Sequence, residues 1–95
     1  MIRCPAHLKW IRTRFCEAIL SGGCGGRVEA AHVRTGTDGG MGMKPSDCWV
    51  IPLCTEHHRE QHRIGEAAFE KKHRLNLKGS AEEMAGKSPY LRRME

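Results

Sequence analysis

The chain has 95 residues, of which 5% are aromatic and 11 are glycine, and its formal net charge at pH 7 is +5. This length allows one small domain, 1–95, with a modest core, so we expect a metal ion or a cross-link to support the fold. No run approaches the ~18 apolar residues of a membrane span, which excludes a membrane partner, and the basic surface favours a polyanion such as nucleic acid.

The first half of the chain predicts a helix, a glycine-rich turn, a strand and a loop. Apolar residues three or four apart predict a helix over residues 7–19. The sequence SGGCGG at 21–26 is too rich in glycine for a helix and predicts a tight turn around Cys24. Residues 27–33 fit a strand, and the glycines and proline of 34–47 predict a loop.

The next segment predicts a second strand and a helix. The continuous apolar run 48–53 is consistent with a strand that Pro52 ends or places at a sheet edge. Thr55 fits the N-cap position of a helix that runs to about residue 63 or 64, where Gly65 could cap it. The order of these elements therefore predicts a ββα unit in the middle of the chain.

The last third of the chain predicts helices only. Residues 66–73 consist mainly of strong helix formers. Ser80 and Glu83 match a capping box ahead of a last short helix that ends near Ser88. The whole chain then predicts an α+β fold in which helices flank the ββα unit.

Cysteine and histidine are the residues best able to add a cross-link. The five cysteines are an odd number, and the N-terminal sequence lacks the apolar segment of a secretory signal. We therefore expect a reducing, cytoplasmic setting, in which cysteine mixed with histidine indicates a metal site. Structural zinc is usually held by two close pairs of ligands. Cys54 with His57 forms one such pair at the strand-to-helix junction, and Cys16 with Cys24 forms the other.

Alternatives to this ligand set stay open at the level of sequence. Cys4 and His7 have the same C-x2-H spacing, and His58 could replace His57 as the partner of Cys54. A metal-free interpretation, in which the cysteines are small buried residues, competes with the zinc site.

Three further histidines form a second constellation. Residues four apart share one face of a helix, so His58 and His62 can point at one ion, while His57 points elsewhere. His32 closes the first predicted strand, and we expect the end of that strand to lie opposite the helix start. The competing interpretations are solvated histidines on the helix and a core histidine bonded to backbone in the strand.

The segments AAHV, GGMGMKPSD and IPLCTEHHREQH together resemble the HNH (ββα-metal) endonuclease superfamily, especially its small phage and prophage-encoded members. The resemblance covers roughly residues 14–64 and leaves a helical tail at 66–95. It implies a ββα-metal (His-Me finger) fold with a structural zinc knuckle. By this resemblance His32 is the general base, and His58 and His62 bind a catalytic divalent metal, Mg²⁺ or Mn²⁺. It also implies the zinc ligands Cys16, Cys24, Cys54 and His57.

Two departures from the family pattern bear on activity. Ala31 stands where many members carry an Asp or His as a further metal ligand directly before the base. The central Asn of the HNH name is missing, because the only asparagine, Asn76, lies beyond the motif. Asp47 is the candidate for the loop-bracing role of that Asn.

The leading hypothesis is a metal-dependent endonuclease that hydrolyses DNA phosphodiester bonds with low sequence specificity, of phage or prophage origin and acting in the bacterial cytoplasm. Four basic residues are expected to contact phosphates rather than bases: Arg34, Lys44, Arg59 and Arg63. The alternative is a non-catalytic, zinc-stabilised DNA-binding module. DNA is the expected partner, and a homodimer stays open.

Overall fold

Two antiparallel strands form the sheet of the computed structural model, which describes residues 2–40 and 42–91. Strand β1 (Val28–His32) pairs with β2 (Val50–Cys54), so that Val28 lies opposite Cys54 and His32 opposite Val50. All five residues of β2 are buried, which explains its continuous apolar sequence. Pro52 lies inside β2, where a two-stranded sheet tolerates it because both strands are edges.

In the described part of the chain, one α-helix precedes the two strands and three α-helices follow them, as expected for an α+β fold. The described residues form four α-helices and a short 3-10 turn at Ile19–Ser21. The helices are α1 (Pro5–Ile11), α2 (Thr55–Ile64), α3 (Glu66–His73) and α4 (Leu77–Lys87). None of the helices in the described range has the length and apolar character that a bilayer crossing requires.

The core lies between the sheet and the helices. Phe69 of α3 and Leu77 and Ala81 of α4 are buried against Ile51 and Leu53 of β2. This cluster also contains Cys16 and Cys54, so the candidate metal ligands lie at the edge of the core.

The first helix is shorter than the sequence pattern predicts. It begins at Pro5 and ends at Ile11 instead of extending over 7–19. Beyond it, the backbone N–H of Glu17 donates to the carbonyl of Pro52 in β2 at 2.9 Å, which pulls the chain out of helical geometry. Phe15, which the apolar spacing placed on a buried helix face, is 81% exposed.

The helix predicted from Thr55 is confirmed, but its N-cap is different. Cys54 is the N-cap, and its Sγ accepts the backbone N–H of His57 at 3.4 Å. Thr55 is the first helical residue, and its hydroxyl donates to the carbonyl of Arg27 at 3.1 Å. Gly65, with φ 87°, separates α2 from α3 as expected.

The last helix begins earlier than the predicted capping box. Asn76 is the N-cap of α4, and its side chain accepts the backbone N–H of Gly79 at 3.0 Å. Ser80 therefore lies in the first turn of the helix rather than before it, so the prediction from Ser80 and Glu83 is wrong.

Candidate functional site

Four side chains able to hold a metal ion meet beside the start of α2. Their ligand atoms all lie within 4.8 Å of one another. The Nδ1 atom of His57 is 3.1 Å from the Sγ of Cys54, 3.4 Å from that of Cys16 and 3.6 Å from that of Cys24. This cluster matches the ligand set predicted from the sequence, and it could bind a metal ion.

The local chain path explains how the four ligands come together. Cys54 ends β2 and His57 lies in the first turn of α2, while Cys16 and Cys24 flank the 3-10 turn. The glycine-rich turn packs closely on α2. A Cβ at Gly26 would lie 2.6 Å from the side chain of Thr55, and the φ of Gly26 is 79°. Glycine is needed here for both reasons, and the close packing brings Cys24 to the cluster.

Crowding of the sulfur atoms affects their ionisation. Desolvation and the sulfurs of Cys54 and Cys16 raise the pKa of Cys24 to about 11. Burial raises the pKa of Cys16 as well. Burial has the same effect on Cys54, but the backbone N–H groups of His57 and Gly25 outweigh it and hold the pKa of Cys54 below its usual value. Three thiolates this close together repel one another, and a bound cation would remove that repulsion.

The alternative ligands lie elsewhere. His7 is fully buried, and its Nδ1 is 2.8 Å from the hydroxyl of Ser88. The backbone N–H of Cys4 donates to Asp47. His58 contacts Glu29 rather than the cysteines. Among the described residues, the cluster therefore contains His57 and neither of the other two histidines.

His58 and His62 lie side by side on another face of α2. Their Nε2 atoms are 3.2 Å apart, so both can point at one ion. The Nδ1 of His58 is 2.7 Å from a carboxylate oxygen of Glu29. Glu29 was not identified from the sequence. Its role depends on the packing of β1 against α2, for which no local pattern exists.

His32 is bonded to a carboxylate. Its Nε2 lies 3.0 Å from Oδ1 of Asp47, whose side chain is 3% exposed. Burial raises the pKa of Asp47, but hydrogen bonds from the Cys4 backbone, His32 and Arg3 outweigh this and lower it. Asp47 is therefore ionised at neutral pH, so the Nε2–H of His32 donates to it and the free lone pair of the neutral ring is on Nδ1.

The position of His32 relative to α2 corrects one expectation. The antiparallel register places the beginning of β1, not its end, beside the start of α2. His32 instead lies beside the second half of the helix, where Gln61 Nε2 donates to the His32 carbonyl at 3.4 Å. His32 and His62 consequently line one cleft of about 290 Å³.

Glu66 at the start of α3 shapes the other wall of this cleft. Its carboxylate accepts the backbone N–H groups of Arg34 and Thr35 at 2.9 and 2.8 Å. The chain that follows His32 is therefore tied to α3. Sequence reasoning missed Glu66 because a carboxylate in the first turn of a helix usually interacts with its own helix.

The four basic residues expected to contact phosphates differ in their surroundings. Arg34 donates to the carbonyls of Gly40 and Met43, so it braces its own loop. Arg59 and Arg63 form ion pairs with glutamates one turn earlier on α2, at 3.5 and 3.8 Å. Lys44 lies near enough to His32 for its charge to lower the pKa of that ring.

A second group of potential ligands adjoins the first. His57, Glu60 and His73 have ligand atoms within 4.8 Å of one another. The ammonium of Lys72 lies 2.5 Å from Glu60, and it neutralises the charge that would attract a cation. Hydrogen bonds from Lys72 and His73 lower the pKa of Glu60 to about 2.

Comparisons with known proteins add family membership but no activity. A family profile described as a protein of unknown function (DUF968) matches residues 1–86. The uncharacterized protein YdfU of Escherichia coli (strain K12) is 36% identical over 72 residues, which is 75% of this chain and 19% of that protein. The chain thus spans about a fifth of the length of this relative. No solved structure matches the chain.

Proposed function

The chain belongs to the DUF968 family of proteins of unknown function, and we propose, from its own residues, that it is an HNH-type (ββα-metal), metal-dependent DNA endonuclease. One observation carries the proposal. His32, held by Asp47 at 3.0 Å, lines the same cleft as His62, whose Nε2 is 3.2 Å from that of His58. A candidate base and one candidate metal ligand therefore line one space large enough for a phosphate group, and the second candidate ligand, His58, lies next to the first.

Zinc is the ion that the cysteine-rich cluster favours. Three thiolates and one imidazole are a common ligand set for structural zinc. Zn–S bonds of about 2.3 Å and Zn–N bonds of about 2.0 to 2.1 Å, at tetrahedral angles, separate sulfur and nitrogen by about 3.6 Å. The separations of 3.1 to 3.6 Å from His57 Nδ1 are close to this value. Zinc held here would tie the glycine-rich turn to β2 and α2.

Hydrolysis of a phosphodiester begins with removal of a proton from water. The Nδ1 lone pair of His32 accepts that proton while the water oxygen attacks phosphorus. The bond from phosphorus to the 3′ oxygen breaks, which leaves a 5′ phosphate, and the 3′ oxygen takes a proton from solvent to become a hydroxyl. His32 then gives its proton to solvent. Mg²⁺ or Mn²⁺ on His58 and His62 would, when bound, supply a Lewis acid that stabilises the phosphate charge and the leaving oxygen. Glu29 orients the His58 imidazole through its Nδ1.

The basic residues on the surface support DNA as the substrate. The net charge of +5 favours a polyanion. The positive charge of Lys44 acts on the His32 ring, whose pKa it lowers, and the same charge would attract a phosphate toward the base. Arg59 and Arg63 are exposed on α2, and their weak surface ion pairs can exchange for phosphate contacts. Contacts of this kind read the DNA backbone and give little sequence specificity.

A non-catalytic, zinc-stabilised DNA-binding module is the second candidate. It is favoured by the small number of ligands around His58 and His62. In the range that the structure describes, no group of three Cys, His, Asp or Glu residues includes that pair. Ala31, at the position of a further ligand in many HNH enzymes, is fully buried and cannot contribute one.

A plasmid-nicking assay separates the two candidates. We expect the purified protein to nick plasmid DNA with added Mn²⁺ or Mg²⁺ and to stop when EDTA is added. His32→Ala should fold, retain its metal content and bind DNA like the parent, while cleavage falls by roughly 10²- to 10⁴-fold. His32→Gln provides a polar control for this half-buried position. Plasmid binding without nicking in either metal would favour the binding module.

A further inference from the structure

The residues that precede α1 are bonded to the loop that carries Asp47. The backbone N–H of Asp47 donates to the carbonyl of Ile2 at 2.8 Å. The backbone N–H of Ile2 in turn donates to the hydroxyl of Ser46 at 3.0 Å. The second of these bonds joins residues 44 apart in the chain, and together the two bonds place the N-terminal segment against the residue that holds the candidate base.

Two further bonds from this segment end on the Asp47 carboxylate itself. The backbone N–H of Cys4 donates to Oδ2 at 2.7 Å. The guanidinium of Arg3 donates to Oδ1 at 3.2 Å, and this is the same oxygen that accepts Nε2–H of His32 at 3.0 Å. The N-terminal segment therefore donates to both carboxylate oxygens of Asp47, and His32 donates to one of them.

Arg3 also binds the backbone of the loop. Its Nη1 donates to the carbonyl of Pro45, and its Nη2 donates to the carbonyl of Lys44 at 2.9 Å. A planar guanidinium can serve these acceptors together because its donors form a rigid fork, which a lysine ammonium lacks. Arg3 thus fixes the carboxylate relative to the chain on which Asp47 lies.

We propose that Arg3 and the backbone N–H of Cys4 are positioning groups of the catalytic site, which hold Asp47 so that His32 keeps its proton on Nε2 and its lone pair on Nδ1. This inference rests on the proposed function. It extends the site beyond residues 14–64, the segment that carries the family resemblance.

The physical reason is the small difference in energy between the two neutral tautomers of histidine. The hydrogen bond that one ring nitrogen makes decides which tautomer is present. Asp47 selects the Nε2–H tautomer only while its carboxylate stays in line with the ring. Without the Arg3 side chain, Oδ1 of Asp47 keeps the hydrogen bond from His32 but loses the one from Arg3. The guanidinium contacts to the carbonyls of Lys44 and Pro45 are lost as well, so the carboxylate gains freedom to rotate.

The test combines NMR of the histidine rings with cleavage kinetics. The ¹⁵N-labelled parent should show His32 as the Nε2–H tautomer. Arg3→Gln should give a mixture of tautomers, with kcat for plasmid nicking reduced roughly 10- to 100-fold and KM unchanged. Arg3→Lys, which keeps the charge but not the fork, should lie between the two. Arg12→Gln, which changes an exposed arginine just after α1, should match the parent in both measurements.

The outcomes separate this proposal from the function on which it rests. An unchanged His32 tautomer and an unchanged kcat in Arg3→Gln would overturn the positioning role of Arg3. The N-terminal segment would then serve the stability of the fold only. A parent that cleaves no DNA contradicts the proposed function, while the NMR comparison still decides whether Arg3 sets the tautomer. If amide spectra show that Arg3→Gln is unfolded, Arg3→Lys decides in its place, since parent-like behaviour there excludes the need for a fork.

Discussion

The state of the His32 ring determines whether it can act as a base. Burial lowers the pKa of His32 and the hydrogen bond to Asp47 raises it, while the charge of Lys44 lowers it again. The net direction is below the usual value of 6.5. The ring is therefore mostly neutral at pH 7, with its lone pair available, and this is the protonation state that proton acceptance from water requires.

The dependence of cleavage on pH tests this state. Because only the neutral ring accepts a proton, the cleavage rate should rise with pH, with a midpoint below the usual histidine pKa of 6.5. The measurement is the initial rate of plasmid nicking at saturating Mn²⁺ between about pH 5 and 8. His32→Ala should lack the inflection. A midpoint well above 7 in the parent would show that another group limits the rate.

At the scale of a single element, α2 carries two sets of histidines on two faces. His57 faces the cysteines, and His58 and His62 face Glu29 and the cleft. The rotation of about 100° per residue in a helix separates neighbours such as His57 and His58. Under the proposed function, one helix would therefore hold a structural ion and a catalytic ion without sharing a ligand.

Substitutions on the two faces should have different effects. His58→Ala and His62→Ala should each abolish cleavage or sharply raise the divalent metal concentration that it needs, with the tightly bound zinc unchanged. His57→Ala is the matched comparison and should lose zinc. Zinc content by elemental analysis and nicking rates in a Mn²⁺ titration are the measurements. If His58→Ala loses the zinc instead, the ligand beside Cys54 is His58.

At the scale of the whole molecule, the metal cluster joins parts of the chain that are distant in sequence. Cys16 and His57 are 41 residues apart, and Cys24 and His57 are 33 apart. An ion bound here would close long loops in a domain with a small core, and its binding energy would contribute directly to folding.

Purified protein should contain about one tightly held zinc per chain. Cys54→Ala removes a ligand that is also the N-cap of α2, so it should be unfolded or insoluble. Cys48→Ala, at a cysteine outside the cluster, should keep both zinc and fold. Elemental analysis and thermal unfolding check this. A metal-free parent that melts cooperatively at an ordinary temperature would contradict the structural role of the ion.

Binding of DNA should depend on salt and hardly on sequence. Phosphate contacts by the basic residues release counterions, so affinity should fall steeply between about 50 and 200 mM salt. The measurement is a titration of two unrelated duplexes of equal length at several salt concentrations. Lys44→Gln should reduce the slope, since Lys44 is one of the four basic residues expected to contact phosphates. An affinity that does not change with salt would remove nucleic acid as the natural partner.

Local signals in the sequence determined the strands, α2 and α3. They also gave Cys16, Cys24, Cys54 and His57 as the leading set of candidate metal ligands, while Cys4, His7 and His58 stayed open until the structure placed them outside the cluster. The apolar run of β2, the i, i+4 spacing of His58 and His62 and the C-x2-H pair at the strand-to-helix junction are all patterns of a few neighbouring residues. Each is set by the geometry of one element, so it can be read without knowledge of the rest of the chain.

Only the tertiary structure decided where α1 ends, which residues orient the histidines and how His32 lies relative to α2. The bond from Glu17 to β2 overrides the apolar spacing that predicted a longer helix. Asp47 is 15 residues from His32 and 44 from Arg3, so no local pattern links them. Contacts between distant residues depend on how the elements pack, and packing is a property of the whole chain rather than of any one segment.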